Sequence, residues 1–341
     1  DSRNEYIYKY VSKAFWDAKD VGGGMAAGAK YLDEGTMYVA KFNADGSGQW
    51  IELAYGKNGL DSKNATYAFD DQADILINIR VAADIVGATK MDRPEWGAVN
   101  PLNGEAYMTL TNNSNRVPTS ATPTGSQLKP DAANPRYYED TYTNSDGTTK
   151  VNKGNPHGHI IRWKEDAGNQ AATKFNWDIY LFGAEATATP DVNLSGLTAV
   201  NDFASPDGLY FDPRGMLWIQ TDDGAYTDVT NCMMLAAVPG KVGDGGAATA
   251  AGGTSTIKGA NATPETVRRF LVGPKDCEIT GIAVTPDGKT MFFNVQHPGE
   301  LGTIAKPTSA WPDAQTLGSS KKRPRSATVV VTRKDGDSIG A

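Results

Sequence analysis

Three segments of the chain repeat one layout: a carboxylate, a short apolar strand, a Pro-containing tight turn, and a second apolar strand. The segments are 95–101, opening on Glu95, 207–213, opening on Asp207, and 278–286, opening on Glu278. Each runs on into a second strand, at 106–110, 216–220 and 290–295. Repeated strand pairs predict an all-β radial array, a β-propeller. The first strand of each blade then lines the central channel, so acids at its start meet at one end of the axis. Three acids at one mouth repel one another unless cations hold them. The repeat predicts a metal site.

The strands of the blades follow in order. One blade takes 96–99, 106–110, 159–163 and 176–182; the next takes 208–211, 217–220, 233–238 and 267–272. The third takes 280–284, 291–295 and 327–332. Upstream, 6–11, 37–42 and 50–53 read as outer strands of a preceding blade. That makes about three and a half blades, where propellers have about four to eight. Residues that complete the ring are therefore expected to lie outside this chain. Residues 1–94 divide off as those outer strands plus a decorating helix, and 95–341 as the three blades that carry the acids. The helix is predicted over 70–87, where Ile75, Leu76, Ile79, Val81, Ala82, Ile85 and Val86 fall on one face. The polar stretch 112–156 and the Gly/Ala/Thr-rich stretch 240–258 read as irregular loops, either solvated connections or a lid.

Composition excludes several functions. A net charge of −7 over 341 residues gives no basic face for nucleic acid. No run of about 18 apolar residues could span a membrane as a helix. Two cysteines, Cys232 and Cys277, have no zinc-type spacing. Residues 1–6 read as the approach to a strand with no signal-like segment, as in a mature or trimmed chain.

Propeller geometry sorts the loops by face. The turns at Asn103–Gly104, Arg214–Gly215 and Asp287–Gly288 lie opposite the acids and are chosen for backbone shape. The acid face also collects Thr111, Asn112 and Asn113, then Thr221, Asp222 and Asp223, then Gln296, His297 and Glu300. His157 and His159 lie beside it. Taken singly, Asp222–Gly224 is a turn, Asn112–Asn113 an Asx turn and His297 a packed imidazole. Taken together, this density of oxygen donors suits a hard cation such as calcium, which takes about six to eight oxygens. Arg93 and Lys90 precede Glu95, and Arg162 and Lys164 sit on the third strand of that blade. Cations beside an acidic metal cluster point to an anionic ligand such as phosphate. For Arg162, a surface strand charge is the competing reading.

At these motifs the chain resembles a known family. Gly-Ala-Thr-Lys-Met-Asp-Arg-Pro-Glu-Trp at 87–96 is joined by Leu-Thr-Asn-Asn-Ser at 110–114 and Gly-His-Ile-Ile-Arg-Trp at 158–163. Cys-Glu-Ile-Thr-Gly at 277–281, Asn-Val-Gln-His-Pro-Gly-Glu at 294–300 and Arg-Pro-Arg-Ser at 323–326 complete the set. Together they resemble the PhoX-type alkaline phosphatases over nearly the whole chain. The resemblance implies a six-bladed propeller and a secreted or periplasmic phosphomonoesterase with calcium and iron on its axis. It implies metal ligands at Glu95, the Trp96 main-chain carbonyl, Asp207 and Glu278; with the cations read beside the acids, the expected catalytic set is Glu95, Arg93, Lys90 and Arg162. One departure stands out. The family's iron-binding cysteine lies in a Thr-Cys-Glu-Glu segment of its N-terminal half, and neither cysteine here stands in such a motif.

The chain thus resembles the C-terminal part of the family's protein, with the upstream half as its implied partner and phosphate esters as its substrates. Alone, such a segment is expected to lose metal, expose a sheet edge and be inactive. Two other functions fit axial acids on a propeller: a calcium-dependent lactonase and a non-catalytic ligand-binding module. The extended motifs favour phosphate. Cys232 and Cys277 open strands of neighbouring blades, where a disulfide and two buried thiols are both open readings.

Overall fold

The computed structural model describes residues 2–144, 147–222, 226, 228–314 and 322–340. Three antiparallel sheets fan around one line, as in a β-propeller. The Glu95 blade orders Pro94–Val99, Ala106–Leu110, His159–Glu165 and Lys174–Phe182 from inside outward. The Asp207 blade orders Pro206–Phe211, Leu217–Thr221, Met233–Ala237 and Val267–Val272. The Glu278 blade has three strands among the described residues, Glu278–Val284, Thr290–Gln296 and Ala327–Thr332. The inner strand Pro206–Phe211 packs beside Pro94–Val99 on one side and Glu278–Val284 on the other, without pairing to either. Inner strands that neighbour one another across blades define the axis.

Burial follows position in the fan. In the middle blade, Leu217–Thr221 is buried at every residue because a sheet covers each of its faces. In the Glu278 blade, Thr290–Gln296 and Ala327–Thr332 alternate between covered and open residues. There Ala283, Phe292 and Val330 stand in one row across the three strands and look outward. The turns at Gly104, Gly215 and Gly288 take φ of 73°, 83° and 70°, a region that glycine enters without strain.

The N-terminal strands depart from the sequence reading. Tyr8–Ser12, Gly35–Phe42 and Ser47–Glu52 are not outer strands of a separate preceding blade. They extend the outer edge of the Glu95 blade, through antiparallel pairing of Ser47–Glu52 with Lys174–Phe182. Aromatic packing closes that join: Phe42 meets Trp177 edge-on at 5.4 Å, and Trp50 lies 5.2 Å from Phe175. Rings of this size stabilise by roughly 1.5–3 kcal/mol each on burial.

The helix expected over 70–87 forms as two short helices, Gln72–Ile77 and Ile79–Ile85, broken at Asn78. A further helix, Gly24–Leu32, has no buried residue and left no periodic signal. Both loops read as irregular contain hairpins. The first holds Tyr138–Thr143 and Thr149–Gly154; the second holds Gly246–Thr249 and Ser255–Lys258. Polar residues conceal such strands because neither hairpin faces a wide apolar layer. Cys232 and Cys277 are buried thiols and no disulfide joins them, which decides between the two readings. No helix among the described residues is long and apolar enough to cross a membrane.

Candidate metal centre

The same backbone device precedes each acid. Arg93, Ser205 and Asp276 stand two residues before Glu95, Asp207 and Glu278, and all three take a left-handed φ, of 53°, 44° and 52°. Such a φ is uncommon outside glycine and costs free energy that the surrounding bonds must offset. The carbonyl of each residue accepts a backbone N–H from the exit of that blade's second strand. The donors are Thr111 at 3.1 Å, Asp222 at 3.1 Å and Glu300 at 3.2 Å. In the first two blades the pairing register also slips at the acid, between Pro94 and Gly97 and between Pro206 and Leu209. A bulge at that point re-aims the side chain out of the ladder toward the axis. In the Glu278 blade the slip comes later, between Thr280 and Ile282, and Glu278 pairs directly with Gln296.

Hydrogen bonds between blades fix the spacing of these entries. Thr109 Oγ1 accepts from the Trp96 N–H at 2.9 Å and donates to the Asp207 carbonyl at 2.7 Å. Thr111 Oγ1 donates to the Pro206 carbonyl at 3.1 Å. One blade further on, Gln220 Nε2 donates to the Gly281 carbonyl at 3.3 Å. The second strand of one blade thus holds the first strand of the next.

Burial and neighbouring carboxylates raise all three acids. Burial, and then the charge of Asp207, push the Glu95 carboxyl up to about 7. Burial, and then Glu278, push Asp207 up to about 7. Glu278 is also raised, by burial and then by Asp222. This is the behaviour of carboxylates gathered without enough positive charge. Asp222, Glu278 and His297 each offer a ligand atom within 4.8 Å of the others. Gln296 donates to Glu278 at 2.6 Å, and His297 Nε2 lies 3.4 Å from the same carboxylate. Asp222 and His297 are therefore members that the repeat alone did not single out, although both stand at second-strand exits. Asp223 and Gly224 of the same exit lie outside the described residues, as does Asp1.

The cationic residues separate. Arg93 belongs to the mouth: its guanidinium donates to Asn112 Oδ1 at 3.1 Å and lies 3.8 Å from Glu95. The Trp96 carbonyl lies 3.3 Å from Thr109 Oγ1 beside that same entry. Lys90 is turned away, its ammonium 2.6 Å from Asp84 on Ile79–Ile85. Arg162 is placed differently from the catalytic reading. It pairs across the sheet with Tyr107, toward the turn end of the blade, whereas Glu95 sits near the opposite end where Pro94 pairs with Leu110. Its buried guanidinium donates twice to Asp178, at 2.6 and 3.0 Å, and once to Asp244 at 2.7 Å. Those bonds make it a structural clamp between the blade and the Gly/Ala-rich hairpin segment.

Behind Glu95, a buried polar web sets the position of 91–95. Asp92 accepts from Arg116 Nε at 2.7 Å, Asn113 at 2.9 Å and Asn155 at 3.0 Å. His159 lies in this web and not at the mouth. Its Nε2–H donates to the Ala133 carbonyl at 2.8 Å, and its Nδ1 accepts from Asn155 at 3.0 Å. Burial pushes it down to about 4, so it is neutral.

The family model described as "Alkaline phosphatase PhoX" matches residues 1–299, a span that contains all three acids. The chain belongs to the PhoX alkaline phosphatase family. A solved PhoX structure, "Pseudomonas fluorescens PhoX in complex with vanadate, a transition state analogue", is 36% identical with a TM-score of 0.72. The match covers 100% of this chain and 51% of that chain, so this chain spans about half its length. No curated protein sequence matches. Within the PhoX family frame, the three inner-strand entries lie on the matched part, while the outer strand Ala327–Thr332 lies beyond the family match.

Proposed function

We propose that this chain carries the C-terminal part of a metal-dependent phosphomonoesterase, with Glu95, the Trp96 carbonyl, Asp207 and Glu278 as metal ligands. The observation that supports it most is three inner-strand acids raised by burial and by neighbouring carboxylates, in a PhoX family chain similar to a vanadate-bound relative. Vanadate is described there as a transition-state analogue, which suits phosphoryl chemistry here.

The donor set fits calcium: it is carboxylate and carbonyl oxygen, partly buried and short of positive charge. Iron fits less well on this chain. Both cysteines face an apolar cluster, and burial pushes the Cys277 thiol up to about 12, so Cys277 offers no thiolate at the mouth. The sulfur ligand implied for iron would come from the upstream half of the protein. Bound cations would polarise phosphate oxygens and offset the charge that spreads over them as the ester bond breaks. Arg93 would donate to a phosphate oxygen from its place between Asn112 and Glu95. Gln296 and Thr109 would hold Glu278 and the Asp207 strand in place. Lys90 and Arg162, with their carboxylate partners, take no part. A periplasmic or extracellular location would supply calcium at the millimolar levels that weak oxygen sites need.

The test is release of p-nitrophenol from its phosphate ester by the protein that carries this chain, with calcium and iron supplied. Glu95→Gln and Glu278→Gln should each lower turnover by about a hundredfold or more. Undiminished release, or faster turnover of a lactone than of the phosphate ester, would reject the proposal.

A further inference from the structure

A second group of ligand atoms lies on the acid face, away from the axis. Asp140, His157 and Glu185 each offer one such atom, all within 4.8 Å of one another. They come from three parts of the fold. Asp140 is on the hairpin strand Tyr138–Thr143, His157 precedes His159–Glu165, and Glu185 follows Lys174–Phe182.

His157 is the informative member. It is 1% exposed, yet neither of its ring nitrogens has a hydrogen-bond partner among the described residues. Its Nε2 is 3.6 Å from Asp140 Oδ2, too long for a hydrogen bond. An imidazole this deep is normally satisfied, and one that is not calls for an ion or a group to meet it. Its backbone is fixed at the junction of two blades. The His157 carbonyl accepts from Ser205 at 2.9 Å, and a Cβ on Gly183 would stand 2.2 Å from that carbonyl. Across the hairpin, Asn152 pairs with Asp140, and its buried amide nitrogen is also without a partner among the described residues.

We propose that Asp140, His157 and Glu185 form a second metal site, for a zinc-class divalent ion, that tethers the 138–154 hairpin to the blades. One imidazole and two carboxylates suit zinc and its neighbours, whereas calcium avoids nitrogen. Ligands about 2.0–2.1 Å from a tetrahedral zinc stand roughly 3.3 Å apart. Asp140 and Glu185 are only partly buried, so their side chains have room to close that distance.

The experiment uses the whole protein that carries this chain, stripped with chelator, in a Glu95→Gln/Glu278→Gln background that disables the axial acids. Zinc uptake is measured by equilibrium dialysis, and cobalt serves as a coloured probe of nitrogen ligation. The expected result is one equivalent of zinc retained against excess calcium, with the hairpin more resistant to limited proteolysis when zinc is bound. Adding Asp140→Asn and Glu185→Gln should weaken zinc by at least about tenfold and abolish that protection. His157→Phe, which keeps the ring beside Tyr138 and Tyr226, should do the same. If it fails to fold, the two carboxylate changes decide. No stoichiometric zinc, or uptake indifferent to the carboxylate changes, would overturn the site whatever the axial acids do.

Discussion

His159 shows how a residue in a family motif can matter without touching substrate. It stands in the Gly-His-Ile-Ile-Arg-Trp segment, but its two ring nitrogens are engaged by Ala133 and Asn155. Burial holds it near 4, below the usual imidazole value of about 6.5. The sign of the pH effect follows. Above about 6.5 the ring is neutral in both folded and unfolded chains. As pH falls, the unfolded chain takes up a proton that the folded chain refuses, so stability declines until about 4. The gap amounts to about 3 kcal/mol at most. His159→Gln can keep both hydrogen bonds and cannot titrate. Urea midpoints between pH 7 and 4.5 should therefore fall less steeply in His159→Gln than in the parent chain, and parallel slopes would show that His159 is not the cause.

At the scale of elements, the inner strands were legible because their signal is dense. Leu-Tyr-Phe and Ile-Ala-Val are apolar runs closed by Asp-Pro or Thr-Pro turns, and the acids mark their starts. The left-handed residues two before each acid were not legible, since Arg93, Ser205 and Asp276 share no chemistry. Only Pro94 and Pro206, directly before an acid in two blades, hinted at a fixed entry. Sequence could not separate Arg93 from Lys90 and Arg162 for a related reason. Arg162 is close to Glu95 in blade membership but far along the strand, and the Asp178 and Asp244 that bind it lie 16 and 82 residues away. The polar hairpins at 138–154 and 246–258 lacked apolar alternation and passed for coil. Contacts between blades were equally silent, Thr109 being an ordinary strand residue by sequence. Thr109→Val should leave the Trp96 N–H and the Asp207 carbonyl without their partner. The expected loss is about 1–3 kcal/mol, read from urea midpoints, and a neutral result would mean that the inner strands hold their spacing without it.

The chain folds as a fan whose middle and Glu95 sheets are covered on both faces and whose Glu278 sheet is covered on one. Arg162, Asp178 and Asp244 brace the Glu95 side, and the N-terminal strands extend it further. The Glu278 side has no such addition among the described residues. Its row of Ala283, Phe292 and Val330 looks outward, and Ala327–Thr332 pairs along one edge only. Local opening is easiest where few apolar contacts must be broken. Amide hydrogen exchange should therefore be graded across the fan, slowest in Leu217–Thr221 and faster by orders of magnitude in Ala327–Thr332. Equal protection in the two strands would contradict this. The gradient has a consequence for Glu278, the acid on the least protected sheet. Each transient opening of its blade would carry Glu278 away from Glu95 and Asp207, so the rate at which the cluster loses an ion would follow the breathing of one sheet.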